Sequence, residues 1–138
     1  RFLKRSRSSV EYRDLSQLYT RPIAVVRGYS YSPEFDNDAL LEKVPVSNFT
    51  MAARMVAAGR VDLAVEDEFV ARYYLAREPK SIRDNLAFLP KSLTENSLHI
   101  LVSLKNPRHE QIVADFDREI AAMKADGSYD AIFKRHGL

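Results

Sequence analysis

The chain has 138 residues, 46% of them hydrophobic and 29% charged, the composition of one folded domain with a core of its own. Its net charge of +2 is too small to point to nucleic acid, and the basic residues near the start (Arg1, Lys4, Arg5, Arg7) read as a solvated segment. With no cysteine, disulfides, thiol catalysis and cysteine metal sites are excluded, and no apolar run approaches the ~20 residues needed to cross a bilayer. The chain opens on Arg1 without a signal peptide or an initiating methionine. It is therefore expected to be a piece of something longer, from which any targeting segment would be missing.

Arg1 to Lys4 suits a strand ending at Ser6-Arg7-Ser8-Ser9, and Leu15 and Leu18 give a weak helical spacing. Ile23-Ala24-Val25-Val26 is an apolar, partly β-branched strand, followed at once by Gly28. Ser32 and Pro33 then open a helix, as cap and first helical residue, and the helix is expected to reach about Leu41 or Glu42. Val44-Pro45-Val46 is a short strand limited by its proline. Ser47 or Asn48 caps a helix with Phe49, Ala52, Ala53 and Val56 on one face and Gly59 as its stop.

Residues 61–65 form a nearly unbroken apolar strand, the pattern of a strand covered on both faces. A helix from about Glu68 to Arg77 follows, with Phe69, Tyr73 and Ala76 on one side and Glu78-Pro79 as its end. Leu86 to Leu89 is a short strand, and Leu98 to Leu104 is the longest strand candidate. Asn106-Pro107 opens the surest helix, to Ala125, with Ile112, Val113, Phe116, Ile120 and Met123 as its apolar stripe. Asp126-Gly127 ends it, Ser128 caps a last short helix, and Gly137 stops that one. Strands alternate with helices through the first two thirds, so the expected class is α/β, a mainly parallel sheet with helices on both faces, plus C-terminal helices.

In open α/β sheets ligands bind beyond the carboxyl ends of the strands. Two strand-to-helix turns carry polar residues there. Arg27-Gly28-Tyr29-Ser30-Tyr31-Ser32 offers free backbone N–H groups, a serine hydroxyl and the positive end of a helix, which suit a carboxylate. Glu66-Asp67-Glu68 offers negative charge. Side by side, the two would suit a zwitterion; the plainer alternative is that both are ordinary connections and that Asp67 only caps the next helix. Tyr73-Tyr74 reads as a binding platform or, more simply, as an interfacial pair. His99, His109 and His136 have no metal spacing, no serine sits in a nucleophile elbow, and Gly28 lacks the dinucleotide and phosphate-loop companions. No catalytic residue, metal site or cofactor is therefore assigned.

Four stretches, in this order, resemble bacterial periplasmic solute-binding proteins of family 3, which serve amino-acid ABC transporters. Ile23 to Ser30 resembles the opening of the second lobe. Gly59-Arg60-Val61-Asp62-Leu63-Ala64-Val65-Glu66-Asp67 resembles the family's run from glycine and a basic residue to an aspartate. Leu98 to Lys105 before Asn106-Pro107 resembles the returning hinge strand, and Met123 to Ile132 the closing helix, glycine and tyrosine. The resemblance covers about residues 20 to 138.

The resemblance implies a type II periplasmic-binding-protein-like lobe. Residues 1–20 would be a hinge strand and lead-in, residues 21–104 the second α/β lobe with its return strand, and residues 105–138 helices that pack on a missing first lobe. It implies that Ser30 holds the ligand carboxylate by hydroxyl and backbone N–H, and that Asp67 pairs with the α-ammonium. Arg27, Tyr29 and Tyr31 would line the same site. Tyr29 stands where a small hydroxyl residue is usual, and Glu66 where a smaller residue is common.

The implied function is periplasmic binding of a polar amino acid or similar small zwitterion, delivered by cleft closure to an ABC transporter permease, without enzymatic chemistry. The same fold also serves as the sensor of a membrane receptor, passing closure to a signalling domain. It also occurs in cell-wall lytic enzymes, which would need a catalytic glutamate in another domain. Without a first lobe, the stripe on the long C-terminal helix is expected to find other cover, by pairing with a second copy or folding onto its own lobe.

Overall fold

The computed structural model describes residues 1–95 and 97–137. They fall into two units, residues 1–95 and residues 96–138. The first unit holds five strands: β1 (Phe2–Arg5), β2 (Ile23–Val26), β3 (Lys43–Val46), β4 (Leu63–Val65) and β5 (Leu86–Phe88). Between them run a 3-10 turn (Leu15–Leu18) and the helices α1 (Pro33–Asn37), α2 (Phe49–Ala57), α3 (Glu68–Leu75) and α4 (Lys80–Arg83).

The strands form one sheet in the order β3-β2-β4-β1-β5. β2 pairs in parallel with β3 (Val26 opposite Val46) and with β4 (Ala24 opposite Ala64). β1 alone is reversed and pairs antiparallel with β4 and β5, Leu3 lying opposite both Ala64 and Phe88. The edge position of β3 explains how it tolerates Pro45, which has no N–H to donate to a further strand.

Successive side chains of a strand point to opposite faces, and both faces here are covered. Phe2, Ile23, Leu63 and Val65 pack with Leu18 and Phe35, below the 3-10 turn and α1. Leu3, Ala24, Val26 and Ala64 pack with Ala52, Ala53 and Val56 of α2 and with Ala71 and Leu75 of α3. The small residues on the sheet and on α2 allow close approach of helix to sheet.

The expected punctuation holds at several points. Ser32 caps α1 by accepting from Phe35 N–H at 3.2 Å, and Asn48 caps α2 by accepting from Met51 N–H at 2.9 Å. Gly59 follows α2 at φ +72°, a left-handed conformation that favours glycine. Other expectations fail for reasons that lie outside the local sequence. α1 stops at Asn37, four or five residues early, because Lys43 Nζ donates to the carbonyls of Phe35 and Asp36 at 2.9 and 2.8 Å. The Asp38 carboxylate then accepts from Leu40 N–H at 2.9 Å, a local turn that competes with the helix. α3 turns Ala71 and Leu75 inward, whereas Phe69 and Tyr73 are exposed. α4, after Pro79, has no counterpart in the sequence reading.

The strand expected over Leu98 to Leu104 does not form. Leu101 there is 97% exposed. Its alternating apolar residues suit a strand, but a strand also needs a neighbour's hydrogen-bonding edge, and none pairs with it among the described residues.

The second unit is a helical pair, α5 (His109–Asp126) and α6 (Ser128–Arg135), joined at Gly127 with φ +79°. α5 begins two residues later than Pro107, because Asn106 Oδ1 accepts from Arg108 N–H at 2.9 Å and forms a turn of its own. Ser128 is the first residue of α6 and makes no capping bond. Tyr129 and Phe133 stack one turn apart, ring centres 4.9 Å apart. No described residue of α5 is fully buried; Val113 and Phe116 of the expected stripe are each 40% exposed.

Candidate functional site

Because β2 and β4 are neighbours and run the same way, the turn after β2 and the turn after β4 leave the sheet side by side. The order of strands therefore brings Arg27 to Ser32 next to Glu66 and Asp67. The turn after β3, Ser47-Asn48, lies on the other side of β2.

The β2 turn is tightly built. Tyr29 N–H donates to Val26 C=O at 3.1 Å, and Gly28 sits between them at φ +83°, as a type II turn requires. Val26 N–H donates to the Tyr31 hydroxyl at 2.8 Å, giving the end of β2 a partner that the sheet does not supply. Burial pushes the Tyr31 phenol up to about 12. Tyr31 is therefore a structural brace of the turn.

Asp36 of α1 reaches back to the same turn. Its carboxylate accepts from the Ser30 hydroxyl at 2.7 Å and from Tyr31 N–H at 3.0 Å. Part of the hydroxyl-and-amide cradle expected for a ligand carboxylate is thus filled by a residue of the chain itself. The Ser30 N–H has no acceptor among the described residues. Arg27 uses its backbone N–H on Val46 C=O at 2.9 Å, while its exposed guanidinium makes no ion pair among the described residues.

On the β4 side, Asp67 does cap α3. Its Oδ1 accepts from Phe69 N–H at 2.9 Å and from Val70 N–H at 3.0 Å. Both bonds go to one oxygen, so capping and ligand binding do not exclude each other: Oδ2 makes no hydrogen bond among the described residues. Glu66 is only 6% exposed. Its Oε1 accepts from Asp67 N–H at 2.9 Å, and its buried Oε2 has no hydrogen-bond partner among the described residues. Burial, and then the nearby Asp67 charge, raise the Glu66 carboxyl above its ordinary range.

A cleft of about 520 Å³ opens at this edge, bounded by Arg27 and Tyr29 after β2, Asn48 and Phe49 at the start of α2, Glu66, and Tyr74 of α3. Tyr74 stands 6.4 Å from the Phe49 ring and meets Tyr73 edge-on, so only one member of the Tyr73-Tyr74 pair reaches the cleft. Of the residues expected from the sequence, Arg27 and Tyr29 border this cleft; Ser30 and Tyr31 line a neighbouring one of about 440 Å³ with Asp36, and Asp67 lines neither. Tyr74, one of the two residues weighed as a platform, is a wall of the cleft, whereas Asp36 and Asn48 were not foreseen at the site, since their places depend on how α1 and α2 pack. No group of three or more His, Asp or Glu among the described residues could hold a metal ion.

No family model and no curated protein sequence matches the chain. Solved structures do. Domain 2 of TmArgBP is 22% identical with a TM-score of 0.57, covering 68% of this chain and 97% of that one. The fold is that of a periplasmic binding-protein lobe. A mutant of ArgBP from T. maritima is also 22% identical, with a TM-score of 0.73, covering 97% of this chain and 55% of that one. An ancestral arginine-binding protein bound to arginine is 22% identical with a TM-score of 0.67, covering 97% of this chain and 57% of that one. The chain thus spans just over half the length of these two whole binding proteins. The lobe's candidate site lies where such α/β sheets take ligands, beyond the carboxyl ends of β2 and β4.

Proposed function

We propose that this chain is the second-lobe portion of a periplasmic solute-binding protein that takes a polar amino acid or similar small zwitterion and hands it to an ABC transporter. The observation that carries this reading is the pairing of opposite chemistries at one sheet edge. The β2 turn offers the Ser30 N–H and the Arg27 guanidinium, without an ion pair among the described residues, to a carboxylate, and the β4 end offers Asp67 Oδ2 to an ammonium. The structural neighbours support it: one is an ancestral arginine-binding protein bound to glutamine, another the substrate-binding protein of an amino acid ABC transporter. In this reading β1 and the segment near residue 100 are the hinge crossings, and α5 and α6 belong against a first lobe. The ligand is held by hydrogen bonds and charge and released unchanged.

With one lobe's contacts only, binding is weak, because solvated charge pairs contribute little net free energy. The test is a titration of the 15N-labelled protein with arginine, glutamine and serine, followed by NMR. Saturable shifts of the Ser30 amide and of the amides at the start of α3 are expected. Unchanged amides at both places with every amino acid would overturn the reading.

A further inference from the structure

We infer that the Glu66 carboxylate receives a second cationic group of the ligand, so that the lobe selects a zwitterion with a guanidinium or ammonium side chain over neutral and acidic ones. The inference rests on the proposed function and deepens it. Its starting point is the buried Oε2 of Glu66, which has no hydrogen-bond partner among the described residues although Glu66 forms part of the cleft wall. A buried charged group without a partner is costly, and a donor arriving from the cleft removes that cost.

The charges at the sheet edge fix the sign. Among the described residues, the nearby cationic side chains other than Arg27 are engaged elsewhere. Arg1 and Arg72 both pair with Glu68, at 2.7 and 2.6 Å. Arg54 pairs with Glu78 at 2.9 Å, and Lys43 serves the α1 carbonyls. Among the described residues no cationic side chain forms an ion pair with Glu66 or Asp67, the Arg1 α-ammonium donates to the Glu66 carbonyl at 2.7 Å, and Arg27 makes no ion pair. An α-amino acid's carboxylate and ammonium match Arg27 and Asp67, and Glu66 remains for one further positive charge. The cleft's other walls suit such a group. Tyr29, Phe49 and Tyr74 offer aromatic surface to a planar or ammonium cation, and Asn48 adds a polar side chain. Burial holds the Glu66 carboxyl up; a cation beside it favours the charged form and draws it down again.

The experiment compares arginine with glutamine by NMR titration on the protein and its Glu66→Gln and Asp67→Asn variants. Methylguanidinium, which lacks both α-groups, is the probe for the Glu66 pocket alone, read at the Glu66 carboxyl carbon. Arginine is expected to bind about tenfold tighter than glutamine or better, the scale of one charge-assisted hydrogen bond. Glu66→Gln is expected to abolish that preference, while Asp67→Asn weakens both ligands alike. A preference that survives Glu66→Gln, or no preference in the unchanged protein, overturns the inference and leaves the proposed function standing. If neither amino acid binds, the proposed function falls. In that case a saturable shift of the Glu66 carbon with methylguanidinium supports a cation pocket, and an unmoved carbon overturns it.

Discussion

Asp67 carries two tasks on two oxygens, and a pair of substitutions separates them. Oδ1 accepts from Phe69 and Val70 N–H and caps α3; Oδ2 is the oxygen available to a ligand. Asparagine keeps a carbonyl oxygen for the cap and is as good an N-cap as aspartate, so Asp67→Asn should cost only the charge–dipole contribution, about 0.3–1 kcal/mol. Alanine removes the cap as well and should cost about 1–2 kcal/mol in total. A ligand ammonium loses the same charge-assisted hydrogen bond in both variants, about 1.5–3 kcal/mol, or roughly ten- to a hundredfold in affinity. Urea unfolding measures the first quantity and NMR titration with arginine the second. The two scales should then diverge, with asparagine near the unchanged protein in stability and near alanine in affinity. Binding by Asp67→Asn as tight as that of the unchanged protein would refute the ligand role and leave Asp67 as a cap alone.

Two further outcomes follow from the packing. Gly59→Ala places a side chain at φ +72°, with its Cβ only 3.2 Å from Arg5 Nη1, and should destabilise the lobe by about 1–2 kcal/mol in urea unfolding; an unchanged midpoint would mean that the turn relaxes freely. The stripe of Val113 and Phe116 on α5 is expected to bring two copies together, so sedimentation velocity should show a concentration-dependent dimer that Phe116→Glu dissolves; a monomer at every concentration would refute that pairing.

Much of the lobe could be read from sequence because its signals are local. Ser32-Pro33, Asn48 and Gly59 work through neighbours a few residues away, and the apolar runs at 23–26 and 61–65 announce strands, the second of which begins only at Leu63. The failures share a different cause. Lys43 ends α1 from across a loop, and Ala71 and Leu75 face the core although Phe69 and Tyr73 are larger and equally well spaced. Residues 98–104 have a strand's pattern without a strand's neighbour. The placement of the turn residues and of Asp67 beside one another was legible because it follows from the strand ends. Asp36 was not: its bond to Ser30 depends on where α1 folds back, and six residues of separation carry no such rule. Glu66 was visible only as an unusual charge, since its missing partner is a property of the packed surroundings.

The reversed strand β1 has a consequence for the order of assembly. It is the first strand in the chain, yet it lies between β4 and β5, and β5 joins the sheet only through it. The three parallel strands can find one another through short βαβ steps, whereas β1 must wait for partners encoded far downstream. Contacts so distant in sequence are slow to close, since the loop entropy is lost before the pairing rewards it. β1 is thus expected to dock late, completing the support beneath β4 and so beneath Glu66 and Asp67. The edge that carries Glu66 and Asp67 would then be the last part of the sheet to become rigid, and the first to loosen if the opening residues were pulled away.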